Sequence, residues 1–594
     1  MRGWVRPRLG GRTLRLLLLA LVLAYGALLR FDALTLTYGP VERPGWLRTL
    51  QQSRGASSFL RPSTFHWERW EGRYISDPYT YLRYGREMRA FYAAHRREPA
   101  FPFATRVFLR LLHDHDTAVS FASGFFSVLA IAATFLLGYL AFSYWVGLGA
   151  AAALAIEYDA VTWGVGGWRD DAFACAVVLT ACGLVRYLKS PSGVAAVTVG
   201  FVLGASLLVR ITALSFALPA LVWTWLEAGA PRRQHAGRLV AAAAVASLVV
   251  GPYLVNCWRA FGDPLYAINV HADVYRAAEG KPEIQQSATT YLREGFAERP
   301  WQTLDTALIG MTAYPFGNKW GGFDRWVPGL GRVLAASALL GLVLFLGTPA
   351  GRVMLVVLAA SLVPYALTWK LIADWRFTAH AYPFFLIAAF VPLWCAAMLL
   401  QPSRRSVSAW RPTRRAVALW TAAVVLIAAA TWLAVRVLPV RSLAEAVASG
   451  DAVSVSAGGR DRILFTRGWS SAVREGNVTA RVTNAPVAIV RLPLVPGRPY
   501  RLVVRLDPHP RPQPGAQPDL PVVRLSVNDR LLRTVPLEWN PERVGAYIVE
   551  VPADVVRERG NRLTIAASHR DGSSAQVRLW HVRVLPLGDQ AVNR

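Results

Sequence analysis

About eleven apolar runs, each close to the length a helix needs to cross bilayer hydrocarbon, recur along this chain, near 14–34, 118–141, 144–163, 172–188, 193–209, 211–227, 238–257, 331–347, 352–369, 378–400 and 416–438. That recurrence restricts the fold more than any other feature. The chain reads as a polytopic α-helical membrane protein over residues 1–438. The pair of runs around Arg210 is short and could form one long bent helix. Composition agrees: 54% of the 594 residues are hydrophobic and 17% charged, too apolar for a soluble enzyme of this length.

The formal net charge of +28 raises the question of an anionic partner. Much of the excess sits in short segments between apolar runs, so nucleic acid is not expected as a partner. Basic residues in short loops mark the cytoplasmic side. The N-terminal "MRGWVRPRLGGRTLR" and the segments "LKSPS", "APRRQHAGR", "GTPAGR" and "QPSRRSVSAWRPTRR" then lie inside; "SYW" is the one inner segment without a basic residue. The first run resembles a signal peptide but shows no convincing A-x-A site, and it reads as an uncleaved anchor. This orientation leaves outside the loops 35–117 and 258–330, the turn at 162–171, and everything after about residue 440.

The tail 440–594 has a different period. In "YRLVVRL", Leu502, Val504 and Leu506 alternate with Arg501, Val503 and Arg505; in "VVRLSVNDRLL" the alternation meets an Asn528-Asp529 turn. Further strands read at 486–494, 546–551, 562–567 and 576–585. The expectation is an extracytoplasmic antiparallel β-sandwich of the jelly-roll kind, either glycan-binding or a structural cap. Asn477-Val478-Thr479 matches a glycosylation sequon and is given no function. The four cysteines show no metal spacing and read as small apolar residues.

Three acidic groups fall at the outer face: Asp32 at the end of the first run, Asp77 in "YISDPYTYLRYGREM", and Asp170-Asp171 in "GWRDDAF". Charge beside a membrane is expensive and is either functional or promptly solvated. Asp171 alone is equally well read as a helix cap, whereas two adjacent acids plus Arg169 exceed what capping requires. Asp116 reads as a cap, and His113 and His115 as solvated rather than metal-ligating. Three arginines fall at outer ends of runs: Arg210, Arg259 and Arg376. Guanidinium groups bind phosphate oxygens bidentately, although Arg259 is equally well placed to reach lipid headgroups. His380, one turn after Arg376, reads as an interior histidine. Aromatics of the 258–330 loop, among them Trp301, Tyr314, Trp320 and Trp326, suit either an interfacial belt or a lid.

"SDPYTYLRYGREM" resembles the first extracytoplasmic acidic motif of oligosaccharyltransferase catalytic subunits. "RREPAFPFATRVFLRLLHDHDTAVSFASGFFSVLAI" is similar to the following segment of protein O-mannosyltransferases and aminoarabinose transferases. "GWRDDAF" falls where those families carry a second acidic motif. "GPYLVNCWRAFGDPLYAIN" resembles their entry into a large later loop, and "ADWRFTAHAYPFFLIAAF" their late Arg-aromatic span start. Together, over roughly residues 14–400, the chain resembles the GT-C class of polyprenyl-phosphate-dependent glycosyltransferases; it lacks a clear WWDYG signature. The resemblance implies transfer of a sugar from a polyprenyl-phosphate donor to a lipid, protein or polysaccharide acceptor at the outer face of a membrane, and the Ala- and Arg-rich composition points to a bacterial plasma (inner) membrane. The resemblance makes Asp77 the first candidate base and Asp32 the second. Asp170 and Asp171 could hold Mg²⁺ or Mn²⁺ together with Asp77. Arg376, Arg210 and Arg259 would bind the donor phosphate. Two other classes are weighed against it: a lipid-linked glycan transporter or flippase, which expects polar residues within spans and paired broken helices, and a non-catalytic glycan-binding assembly protein, which expects the outer acids to share no pocket.

Overall fold

The computed structural model describes residues 11–37, 62, 64–65, 74–371, 374–399, 414–475, 478–512, 519–540 and 544–587. The basic start of the chain, residues 401–413 of the 401–415 inner segment and the sequon residue Asn477 lie outside the described residues. The chain divides into two compact units, residues 1–291 with 307–424, and residues 292–306 with 425–594.

The first unit is helical. Among the described residues seven helices are long and apolar enough to cross a membrane: Gly11–Thr35, Ala118–Ala141, Asp170–Lys189, Arg232–Phe261, Pro349–Ala366, Trp375–Ala397 and Trp420–Ala448, the last reaching into the second unit. Four further apolar helices, Tyr144–Ile156, Gly193–Val209, Ile211–Glu227 and Leu330–Phe345, are shorter. This is the make-up of a multi-pass membrane protein. Every run read from the sequence falls on one of these helices, with one change. The run 144–163 breaks at Glu157, whose buried carboxylate accepts the Ala160 amide at 2.5 Å and starts a second helix, Tyr158–Gly164. A carboxylate at a helix start satisfies free N–H groups, so the chain turns there. Close crossings use small residues: a Cβ added at Gly200 or Gly204 would collide with the backbone or side chains of the Arg232–Phe261 helix at Ala242 and Val249.

The second unit carries two antiparallel sheets. Its strands are β1 Val453–Ser456, β2 Phe465–Arg467, β3 Val473–Glu475, β4 Val478–Val482, β5 Val487–Arg491, β6 Tyr500–His509, β7 Val522–Val527, β8 Arg530–Pro536, β9 Gly545–Val551, β10 Arg562–Ser568 and β11 Gln576–Pro586. One sheet runs β3-β4-β11-β6-β9, with β1 also on β11; the other runs β2-β5-β10-β7-β8. The two contribute to one hydrophobic cluster, including Leu502, Val504 and Leu506 from β6 and Val523, Leu525 and Val527 from β7. Asn528 and Asp529, both at positive φ, form the tight turn between β7 and β8 that the sequence announces. All four cysteines are free.

Candidate functional site

Asp77 stands in the first turn of the helix Ser76–Glu87, where a carboxylate opposes the positive end of the helix dipole. Its neighbour Ser76 has φ +59°, a conformation a residue with a Cβ adopts only where its surroundings impose it. Asp170 begins the helix Asp170–Lys189, and Arg210 sits at the extended break between Gly193–Val209 and the helix that follows. Arg376 occupies a short helical turn after Asp374, whose carboxylate accepts the Arg376 amide (3.2 Å) and its Nε (2.8 Å).

These elements bring distant charges together. Arg376 Nη1 lies 3.7 Å from Asp77 Oδ2 and 3.7 Å from Asp170 Oδ2, so one guanidinium stands between two carboxylates. Its other side stacks on Trp168, 3.7 Å from the ring centre. Arg210 Nη1 donates to Asp170 Oδ1 at 2.7 Å, and both residues are buried. Arg97 donates to Asp77 and, at 3.0 Å, to His271 Nε2. Arg169 pairs with Glu98, whose second oxygen accepts the Ile211 amide at 2.7 Å. Buried Tyr81 presents its ring to both Arg97 and Arg169, 5.7 and 5.9 Å from their guanidinium carbons.

The field of this cluster is set by the guanidinium groups. Burial would push the Asp77 carboxyl up, but Arg97, Arg169 and Arg376 hold it below the usual carboxylate range. Burial likewise opposes ionisation of Glu98, and Arg169 together with the Ile211 amide overrides it. His271 is pushed down to about 4 by burial and by Arg169 and Arg97, so it is neutral at physiological pH and its Nε2 is free to accept from Arg97.

Of the residues singled out from the sequence, Asp77, Asp170, Arg210 and Arg376 meet here. Asp171 does not. It belongs to a separate polar group in which Ser127 links it to Arg30, the Arg30 Nε donating to Ser127 Oγ at 2.7 Å. Adjacent residues on a helix point about 100° apart, so the two acids cannot serve one site equally. Asp32 is buried in the first helix beside Leu29, Ala33 and Leu34 and is not among the ion pairs above. Arg259 is exposed near the end of Arg232–Phe261 and is not among them either. His380 is an interior histidine, packed on Phe173 and Tyr365. Of the three acids proposed to share Mg²⁺ or Mn²⁺, Asp77 and Asp170 both face the Arg376 guanidinium, while Asp171 bonds Ser127. Among the described residues no cluster of three or more His, Cys, Asp or Glu side chains is suited to a metal.

Arg97, Glu98, His271 and Asp374 do not stand out as site residues in the sequence. Arg97 and Glu98 lie inside the quoted "RREP", and Asp374 inside "DWRF", but only tertiary pairing reveals their part. Next to the cluster a narrow cleft is lined by Tyr275, Tyr314, Tyr365, Thr368, Trp369 and Phe377. The Phe377 ring borders Arg376 at 4.5 Å, and the Tyr365 ring borders Arg210 at 5.1 Å.

Residues 96–255, less than half of the chain, match the family model for Dolichyl-phosphate-mannose-protein mannosyltransferases. No curated protein matches the chain. Among solved structures it is similar to the oligosaccharyltransferase AglB from Archaeoglobus fulgidus in complex with an inhibitory peptide and a dolichol-phosphate. That match has 14% identity, a TM-score of 0.39, and coverage of 73% of this chain and 56% of that one. The same enzyme in a complex with Zn and sulfate matches with 13% identity, a TM-score of 0.35 and coverage of 68% and 52%. Arabinosyltransferase EmbB from Mycobacterium smegmatis matches with 12% identity, a TM-score of 0.22 and coverage of 87% and 63%. The chain thus spans a little over half the length of the oligosaccharyltransferase it matches. All are GT-C enzymes.

Proposed function

We propose that this protein is an integral-membrane glycosyltransferase that moves a sugar from a polyprenyl-phosphate donor to an acceptor at the outer face of a plasma membrane. In this reading the eleven apolar helices all cross the bilayer, and the second unit is an outer β-sandwich. The observation that carries it is the single Arg376 guanidinium between Asp77 and Asp170, with Arg210 on the far side of Asp170. A transporter does not require such a convergence of acids and arginines, and a scaffold gives the acids no common partner.

The arrangement suits the chemistry. The bond between the sugar's anomeric carbon and the phosphate oxygen breaks, and the electron pair leaves with the polyprenyl phosphate. The acceptor oxygen or nitrogen bonds to that carbon, and its proton passes to Asp77. Arg376 and Arg210 stabilise the charge arriving on the phosphate, which is worth most in a water-poor site. Asp77, held ionised by three arginines, is a weak base at rest. A phosphate arriving at Arg376 would draw off part of that positive field and raise the carboxyl toward the range a base needs. Asp170 keeps Arg210 and Arg376 in register.

The test is sugar transfer from polyprenyl-phosphate donors in membranes containing the full chain or its Asp77→Asn variant. Loss of transfer on the order of 10²–10⁴-fold, with protein level and melting preserved, is the expected result for a positioned base. Undiminished transfer removes Asp77 from the mechanism.

A further inference from the structure

The residue that binds the phosphate in this reading, Arg376, is not held by regular secondary structure on its N-terminal side. Asp374 is extended, at φ −143° and ψ 140°, and the helical turn begins only at Trp375. An arginine at the end of such a segment would ordinarily sample many positions, and a site that must meet a developing charge needs it in one.

Two side chains of the preceding loop meet this segment. The Tyr314 hydroxyl engages both backbone groups of Asp374: it donates to the carbonyl at 2.5 Å and accepts the amide at 2.6 Å. One hydroxyl has the proton and the lone pairs for both bonds. Lys319, entirely buried, donates from Nζ to the Trp375 carbonyl and stands 3.9 Å from the centre of the Trp375 ring. Asp374 in turn holds Arg376 through its carboxylate.

A fully buried lysine is rare unless paired, because a charge loses its hydration there. Burial drives the Lys319 ammonium well below its usual range, and Glu157, Asp374 and Asp159 oppose that. A packing role alone would be met by methionine or leucine without this desolvation. A donor aimed at one backbone carbonyl, one residue before Arg376, gives the buried amine a use.

We propose that Tyr314 and Lys319 form a clamp that positions Arg376 by fixing the Asp374–Trp375 backbone. These two are positioning residues and do not touch the substrate. The inference deepens the glycosyltransferase reading and rests on Arg376 meeting the donor phosphate.

The experiment uses the full chain in lipid nanodiscs, with Tyr314→Phe as the first variant because it removes two hydrogen bonds and only the hydroxyl oxygen of a half-buried side chain. Amide hydrogen exchange over residues 374–381 and steady-state transfer are measured together. The clamp predicts faster exchange confined to this segment, with unchanged melting. It also predicts a fall in kcat on the order of 100-fold with the acceptor KM unchanged, as for an interaction that acts in the transition state. Lys319→Met, folded by the same melting criterion, moves both readouts the same way. Wild-type exchange at 374–381 in Tyr314→Phe overturns the clamp, as does wild-type kcat alongside faster exchange. If the wild-type protein transfers no sugar from any polyprenyl-phosphate donor, the catalytic reading fails, and the exchange result still decides whether the clamp exists.

Discussion

The ion pairs of the candidate site and those on the strand faces of the β unit lie in opposite surroundings. In the helical unit, Arg169–Glu98 has side chains 4% and 1% exposed, and Arg210–Asp170 9% and 5%. In the β unit, Arg501–Glu550 is 44% and 63% exposed, and Arg530–Asp554 and Arg557–Asp529 are similarly open. Exposed pairs contribute about 0–1 kcal/mol and are screened by salt. Buried pairs carry a desolvation penalty that well-packed apolar residues would avoid. Stability alone gives little reason to gather four arginines, three aspartates and a glutamate in one cluster beside apolar helices, whereas the strand-face pairs of the β unit need no such reason.

That contrast can be broken by experiment, beginning with the largest effect. Glu98→Gln leaves the buried Arg169 guanidinium without its counter-charge and should lower stability by about 3–5 kcal/mol, read by unfolding in detergent. A loss below about 1 kcal/mol would put this pair with those of the β unit. Arg376→Ala should reduce transfer by about 10²–10³-fold with little change in melting, because it removes charge stabilisation at the leaving phosphate.

A pH profile sharpens the contrast further. The Asp77 carboxyl is depressed in the folded protein, so its ionised form is present above the folded value and is lost as pH falls through it. The acid limb of kcat/KM, which reports the free enzyme, should thus lie below the ordinary carboxylate value of about 4. Removing Arg376 takes away one of the cations responsible and should move that limb upward. The smallest effect belongs to the β unit: Arg501→Ala should change stability by no more than about 1 kcal/mol and leave the acid limb in place.

Much of this organisation is legible in the sequence, and the reasons differ by feature. Apolar runs and period-two strands report local burial, so the helices and β5 to β11 are readable from their own residues. Strands β1 to β4 are only three to five residues long and escape such a reading. The break at Glu157 is visible only as a charge inside an apolar run, and its capping role follows from the fold. For the site, the acids and arginines announce themselves as charges beside apolar runs. Their pairing does not, because Asp170 meets Arg210 forty residues away and Glu98 meets the Ile211 amide 113 residues away. Asp171 shows the opposite limit: beside Asp170 in sequence, it is carried by helix geometry to Arg30 and Ser127 instead.

The account stands on Arg376 exchanging its carboxylate neighbours for a lipid phosphate. A cryo-EM map of the full chain in nanodiscs with a long-chain polyprenyl phosphate reads this directly. The account predicts phosphate density against the Arg376 and Arg210 guanidinium groups, within reach of Asp77. Phosphate bound elsewhere, with Arg376 still between Asp77 and Asp170, would contradict it.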